Sequence, residues 1–250
     1  MPADNPFAAL AAEYARFRPR YPGALFEYLA GVAPARGRVW DCGTGSGQAA
    51  SALARWFDAV IATDASAEQI ARARPTPGVA YCVAMAERCP LPAACCDLVT
   101  VAQALHWFDH AVFFAEARRV LKPAGVIAVW TYRRISATPA VDSVLARLYG
   151  EVVGRWWPEN RSLVESGYRE LVFPFVEMQG PSLAVEARWT LGDLIGYLGT
   201  WSASARYRQA HGRDPIDEVR SELTQAWGDA EAQHTVRWPI SMRIGTRDAE

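Results

Sequence analysis

The sequence predicts an α/β fold, a doubly wound and mostly parallel sheet with helices on both faces. Three observations predict it. Short runs rich in Val or Ile alternate with helical patterns through the first half of the chain. Those runs are apolar at successive positions, as strands covered on both faces require. A glycine turn, "GTGSG" (Gly43–Gly47), joins the first run to a helix, and open sheets of this class bind ligands at such junctions.

The elements follow in order. "PFAALAAEYARFRPRYPGALFEYLAGVAP" reads as two helices broken at Pro19 and Pro22, because proline lacks an N–H and disfavours helix at the residue before it. Five strand-like runs come next: Arg38–Cys42, Ala59–Asp64, Val79–Ala84, Asp97–Gln103 and Gly125–Tyr132. "SGQAASALARWF" is the helix after the first run. "SAEQIARAR" follows the second, with Ser66 as N-cap and Gln69 completing a capping box. "HAVFFAEARRVLKP" follows the fourth and is expected to stop at Pro123 and Gly125. Right-handed crossovers then place the helices on both faces.

Beyond the fifth run the alternation ends. Residues 138–153 read as helix, with Thr138 as N-cap, Pro139 at the first helical position and Val141, Val144, Leu145, Leu148 and Val152 on one face. Phe173–Trp189 reads as extended or as a hairpin turning at "QGPS". Thr190 and Asp193 form a capping box before "LGDLIGYLGTW", Asp214 and Pro215 start "PIDEVRSELTQAW", and "HTVRWPISMRIGTR" alternates like a last strand. A length of 250 residues suits one domain with an elaboration better than two. The expectation is a core over about residues 10–135 plus C-terminal strands, with cap elements over about 136–230.

Composition excludes several classes. A net charge of −1 offers no electrostatic grip on nucleic acid or an anionic membrane. Lys122 is the only lysine among 26 basic residues, a bias that reads as the codon usage of a GC-rich bacterial genome. The five cysteines, Cys42, Cys82, Cys89, Cys95 and Cys96, form no C-x-x-C and no zinc spacing. They read as buried hydrophobes of a reducing compartment. No signal pattern and no membrane-length apolar run is visible, so the expected location is the cytoplasm.

The glycine turn carries the functional reading. A dinucleotide fingerprint needs G-x-G-x-x-G, but here the glycines are Gly43, Gly45 and Gly47, and Gln48 takes the third place. No G-K-[ST] follows. Asp41, two places before the turn, would repel a pyrophosphate and attract a cationic group. Asp64 ends the next strand, where carboxylates reach ribose hydroxyls. A ligand with a ribose and a positive charge fits, and S-adenosylmethionine is such a ligand.

"VWDCGTGSGQ" also resembles the first motif of class I S-adenosylmethionine-dependent methyltransferases. The resemblance continues through Asp64, "AERCPLPAACCDLVTVAQALHWFD" and "EARRVLKPAGVIAVWTY", covers about residues 10–135, and within that superfamily is to the small-molecule "type 11" group. "YARFRPRYP", "AQALHWFD" and "TWSASARY" are similar to relatives of trans-aconitate methyltransferase. Cys42 and Cys95–Cys96 depart from the usual residues without touching a binding position.

The resemblance implies a Rossmann-like, seven-stranded, mostly parallel sheet with a helical cap over its carboxyl edge. It implies that Asp41, Gly43 and Gly45 form the floor under the methionine part of the cofactor, with Thr44, Gly47 and Gln48 beside them. Asp64 holds the ribose, Ala65 and Gln69 border the adenine, and Ala86 and Glu87 meet its edge. Gln103 faces the methionine end, and Tyr14 closes over it. His106, after the fourth strand, is a candidate base or a substrate hydrogen-bonding group. A capping or packing histidine is the competing reading. Trp107 is a candidate pocket wall, and His110 is expected to be exposed. Tyr132 and Arg133 border the acceptor; Arg18, Tyr21, Trp201 and Arg206 are further candidates, with cap-core packing the competing role for the aromatics.

The chemistry so implied is an in-line displacement at a sulfonium methyl, which needs alignment and dryness and no metal. The acceptor is expected to be a small molecule, through a carboxylate or hydroxyl oxygen, and the product S-adenosylhomocysteine. No basic stripe or N-P-P-Y signature points to nucleic acid, and a monomer or weak homodimer is expected. A non-catalytic cofactor-binding sensor or scaffold remains the alternative, and an NAD enzyme is disfavoured by the glycine spacing and Asp41.

Overall fold

The computed structural model describes residues 19–248. The first N-terminal helix expected from sequence, with Tyr14 and Arg18, lies outside the described residues. The chain divides into two compact units. One comprises Tyr21–Arg133, Ser162–Ala184 and the stretch from Pro239; the other includes Arg134–Arg161 and Val185–Trp238.

The first unit is built on the sheet. Helix α1 (Gly23–Val32) precedes β1 (Arg38–Cys42), α2 (Gln48–Leu53), β2 (Ala59–Asp64), α3 (Ala67–Arg72), β3 (Val79–Val83), β4 (Cys96–Ala102), α4 (His110–Val120) and β5 (Leu121–Tyr132). Strands β1–β5 are parallel and stand in the order β3-β2-β1-β4-β5. Two of them match the predicted spans residue for residue, Arg38–Cys42 and Ala59–Asp64.

Alternate strand residues feed two separate cores, which is why the runs read as continuously apolar. Val39, Leu98, Val126, Ala128 and Trp130 pack with Leu25, Phe26 and Leu29 of α1 and Ala49, Ala50 and Leu53 of α2. Trp40, Cys42, Val99, Val101, Ile127 and Val129 face the other way, onto Phe113, Phe114, Ala117 and Val120 of α4. Helices therefore cover both faces of the sheet.

Helix α4 ends at Val120, earlier than the proline and glycine suggested. Leu121 already pairs with Cys96, and Val126 with Leu98, so residues 122–125 form a bulge within β5. Pro123 cannot donate to a ladder, and Ala124 takes φ 60°, so the excess residues loop outward. Lys122 pins the bulge to Asp97 at 2.7 Å.

The remaining elements of this unit are α6 (Arg161–Glu165) and β6 (Val176–Met178), with the second half of β8 (His234–Thr246). Strand β8 runs antiparallel to β5 over Ile240–Thr246 and antiparallel to β6. The sheet has eight strands where seven were expected, in the order β3-β2-β1-β4-β5-β8-β6 with β7 (Ala184–Trp189) paired to β8. The thirteen residues of β8 give it room for three partners. β6 and β7 each pair with β8, so the predicted extended segment is not a hairpin.

The second unit holds α5 (Pro139–Arg147), α7 (Leu191–Gly199), α8 (Ser202–His211) and α9 (Arg220–Trp227), with β7 joining the first half of β8. Its predicted caps form. Thr138 accepts from the Val141 amide with Pro139 at the first position, and Thr190 and Asp193 complete a reciprocal capping box. The helix expected from Asp214 onward is two pieces, a 3₁₀ turn over Pro215–Glu218 and then α9, parted at Val219. Its buried core is largely aliphatic, with an aromatic cluster in which Trp238 donates to the Tyr197 hydroxyl at 3.0 Å and meets Trp189 edge-on.

Candidate active site

The carboxyl ends of β1, β2, β4 and β5 bring most of the predicted residues to one edge of the sheet. Cys42 pairs with Thr63 on one side and Val101 on the other, and Ala102 pairs with Trp130. The residues just past these pairs are Gly43, Asp64, Gln103 and Thr131, and they share that edge.

Asp41 departs from its expected place facing the ligand. It is fully buried, and its two carboxylate oxygens accept from the hydroxyls of Thr44 (2.6 Å) and Thr100 (2.7 Å). It ties the glycine turn to β4 from beneath. The side chain of Thr44 is buried for the same reason, while its amide bonds the Thr63 carbonyl at 2.9 Å. Burial pushes the Asp41 carboxyl up to about 6, against the pull of the two hydroxyls.

The turn's first and last glycines are there for packing. A Cβ on Gly43 would lie 2.5 Å from the Ala104 Cβ, and one on Gly47 would lie 2.4 Å from the Tyr81 hydroxyl oxygen. Gly45 differs. Among the described residues, a Cβ there would meet only Gln69 Oε1, at 3.9 Å, so space opens above the middle of the turn. Gln48 begins α2 and is exposed; Ala65 is exposed and Gln69 half-buried at the start of α3.

Asp64 is held by backbone. Its Oδ2 accepts from the Gly45 amide and its Oδ1 from the Ser66 amide, both at 2.8 Å. A carboxylate offers about four acceptor positions, so two remain for hydroxyl donors. Ser66 caps α3 by accepting from the Gln69 amide at 3.3 Å, but the expected capping box is not completed, because the Ser66 amide donates to Asp64 and not to Gln69.

Ala86 is a buried member of the α4-side core. Burial leaves it little surface, and exposed apolar area nearby belongs to Val83 and Met85, which are more than half exposed. Glu87 accepts from the Asp109 amide at 2.9 Å. Asp109 in turn caps α4, so Glu87 braces the turn after β4.

Gln103 adopts φ +59°, a conformation that non-glycine residues seldom keep without a reason. Its amide bonds the Trp130 carbonyl at 2.9 Å, and its Oε1 accepts from the Thr131 hydroxyl at 2.8 Å. Its Nε2 is buried and has no acceptor among the described residues. An unmet buried donor costs about 1–3 kcal/mol, a sign that a ligand group is missing there.

His106 and Trp107 lie in a 3₁₀ turn over Leu105–Trp107. Trp107 is 66% exposed, a large apolar surface at the sheet edge. His106 is half-buried, with its Nδ1 3.1 Å from the hydroxyl of Tyr168. His110 is half-buried rather than exposed, because its Nε2 reaches the Leu105 carbonyl at 3.1 Å. Tyr132 closes β5, half-buried. Tyr21 packs edge-on against Trp130 with ring centres 5.6 Å apart, on the α1 side of the sheet.

Trp201 and Arg206 belong to the other unit. Trp201 packs among Tyr149, Trp157 and Tyr197. Arg206 is exposed, with its guanidinium 3.5 Å from the Trp156 carbonyl. Among the described residues, no cluster of His, Cys, Asp and Glu could hold a metal ion, and no helix is long and apolar enough to cross a membrane.

A methyltransferase-domain family matches residues 40–129, the stretch from β1 into β5. A Dictyostelium discoideum protein carrying a methyltransferase name is 30% identical to this chain, over 98% of it and 96% of its own length. The chain belongs to the class I S-adenosylmethionine-dependent methyltransferases. A solved chain from Anaeromyxobacter dehalogenans, described as a type II methyltransferase, is 49% identical, with TM-score 0.88 over 92% of this chain and 97% of that one. A Bacillus halodurans chain with a methyltransferase name is 20% identical, with TM-score 0.52 over 90% and 99% of the two chains; that likeness is one of fold.

The cofactor of this methyltransferase is S-adenosylmethionine, and the sheet edge fits it. The open side of Gly45 provides room, Asp64 retains acceptor positions for a diol, and the orphaned Gln103 Nε2 wants an acceptor such as a carboxylate. Three residues escaped the sequence reading. Thr100 and Thr131 are hydroxyls within apolar strands, visible only as polar interruptions. Tyr168 lies 62 residues from its His106 partner, and no local pattern could have joined them.

Proposed function

We propose that this methyltransferase transfers the methyl group to an oxygen, carboxylate or hydroxyl, of a small organic acceptor. The observation that carries the acceptor class is the end of β4. Gln103, His106 and Trp107 offer an amide donor, an imidazole and an exposed aromatic surface. Asparagine and proline, which would cradle an amino nucleophile of a base, are absent there. A net charge of −1 disfavours a nucleic-acid acceptor.

In this reading Asp64 accepts from the ribose hydroxyls while its backbone bonds keep it in place. The Gly43–Gly47 turn would hold the methionine part, with the open side of Gly45 leaving room for it, and Gln103 Nε2 would donate to its carboxylate. Ala65, Gln69 and the surface beside Ala86 border the adenine. Asp41 supplies negative potential from beneath the turn. When bound, S-adenosylmethionine would supply an electrophilic methyl, its bond to sulfur breaking as an acceptor oxyanion bonds to carbon and leaving a neutral thioether; a carboxylate arrives ionised, and a hydroxyl would first lose its proton to solvent. The side chains align the acceptor and exclude water, which is where most of the rate enhancement of such a step arises. His106 contacts the acceptor oxygen, and Trp107 and Tyr132 wall it.

The test is methyl-labelled S-adenosylmethionine incubated with pooled small carboxylic acids and, separately, pooled phenols and alcohols. Label in an ester or ether supports the reading. Label only on nitrogen, or transfer to nucleic acid or protein in preference to both pools, overturns it.

A further inference from the structure

We infer that Tyr168 is a positioning residue that holds His106 in the Nε2–H tautomer, making His106 a hydrogen-bond donor to the acceptor and not a base. This rests on the proposal that His106 contacts the acceptor.

Tyr168 is fully buried, and its ring lies nearly parallel to the imidazole, with a 19° interplanar angle and 6.3 Å between centres. The hydroxyl is 3.1 Å from Nδ1. The backbone that presents it is unusual. Helix α6 ends in a Schellman arrangement, with the Tyr168 amide bonded to the Leu163 carbonyl and the Gly167 amide to that of Val164. Gly167 takes φ +64° in the ordinary way, but Tyr168 follows at φ +63°. A bulky residue keeps that conformation only when its surroundings over-determine it.

They do. Arg243 Nη1 donates to the carbonyls of Tyr168 (2.9 Å) and Leu171 (2.7 Å). The same guanidinium forks onto Glu177 at 2.9 and 3.0 Å and stacks on Phe173 with 4.6 Å to the ring centre. The chain of contacts runs from Glu177 on β6 through Arg243 on β8 to the Tyr168 backbone, and through the phenol to His106. Strained backbone, clamped from a neighbouring strand, aims one hydroxyl at one ring nitrogen.

The direction of that bond follows from acidity. A phenol is far more acidic than a neutral imidazole N–H, and a bare imidazole nitrogen is a better acceptor than a phenol oxygen. The Tyr168 hydroxyl therefore donates to Nδ1, and the proton of the neutral ring sits on Nε2. An imidazole so fixed cannot remove a proton with Nε2. It can donate to an oxygen that arrives with its own charge or free lone pair, and orient it toward the methyl. The acceptor this favours is ionised before it binds, since no proton has to be taken from it.

The test is nitrogen NMR of the full chain labelled in histidine, with His106→Gln assigning its signal among the four histidines. The expected wild-type result is a pyridine-like Nδ1 and a pyrrole-like Nε2, with Tyr168→Phe giving a mixture of tautomers. A pyrrole-like Nδ1 in the wild type overturns the inference, as does a tautomer unmoved by Tyr168→Phe. Should Tyr168→Phe not fold, the wild-type spectrum decides. Methyl transfer to the pooled carboxylic acids gives the second readout. Gln keeps an N–H near the Nε2 position but cannot act as a base, so His106→Gln should remain within about tenfold of wild type while His106→Ala falls about a hundredfold. Equal losses in the two variants overturn the donor role. Wild-type inactivity with every acceptor overturns the acceptor reading instead, and leaves the tautomer result standing.

Discussion

Asp41→Asn should make this methyltransferase more stable at pH 8 and leave its stability nearly unchanged at pH 4. Burial carries the Asp41 carboxyl from its ordinary 3.8 up to about 6. The folded chain therefore holds the Asp41 proton more tightly than the unfolded chain does. Between these two values the folded state binds more protons, so stability falls as pH rises through the window and levels off above about 6. The difference corresponds to about 3 kcal/mol. Asparagine fits the same place, because its amide oxygen can accept from one of Thr44 and Thr100 while its N–H donates to the other hydroxyl turned around. At pH 8 the variant should gain about 2–3 kcal/mol, or roughly 4–10 °C in Tm for a chain of this size. Denaturant unfolding of both proteins at pH 4, 6 and 8 measures it. A variant less stable than wild type at pH 8, or a gap equal at all three values, would refute the assignment of a charged, costly carboxylate beneath the turn.

The same variant should lose about five- to tenfold more affinity for S-adenosylmethionine than for S-adenosylhomocysteine, since only the former carries the sulfonium charge; calorimetry with both ligands at pH 8 decides. Asp64→Ala should weaken S-adenosylhomocysteine binding by about 1–3 kcal/mol, as the hydroxyls lose a charged partner, with exposed Asp58→Ala as the unaffected control; unchanged affinity counts against the assigned ribose site. Gly43→Ala should cost stability by more than about 2 kcal/mol, because its Cβ would collide with Ala104 in a left-handed backbone. Gly45→Ala should fold with a loss of only about 1 kcal/mol and yet lose cofactor affinity; thermal melts beside calorimetry separate the two glycines.

Much of the parallel sheet was legible from sequence, and for a physical reason. Strands buried on both faces must be apolar throughout, so β1 and β2 could be read to the residue. The caps at Ser66, Thr138 and Thr190 were equally plain, since each depends on residues three apart. What resisted reading was set at a distance. The bulge in β5 follows from pairing with β4, and the eighth strand from the length of β8. At the candidate site, Asp64 and the glycines announced themselves by spacing. The inward turn of Asp41 did not, because the two hydroxyls that take its oxygens come from the turn and from a neighbouring strand. Tyr168 was invisible for the same reason.

Several costly features of the sheet unit lie where the methyl donor is proposed to bind. Asp41 keeps a charge that burial opposes, Gln103 combines φ +59° with an unmet amide donor, and Tyr168 holds φ +63° beside His106. The other two non-glycine residues with positive φ among the described residues, Ala94 and Ala124, lie in turns next to the start of β4 and in the β5 bulge. There a small side chain makes the conformation cheap. Selection for stability alone would replace Asp41 with asparagine and put glycine at position 103. That the chain carries charge, strain and an orphaned donor at one edge is what a site shaped for a cationic, carboxylate-bearing ligand requires. Cofactor binding should therefore recover part of the cost: Gln103 gains its acceptor, and the Asp41 charge gains a cation nearby. S-adenosylmethionine should consequently stabilise wild type more than Gln103→Leu, measured as the rise in Tm at a saturating concentration. An equal rise in both proteins would place the orphaned donor outside the cofactor site.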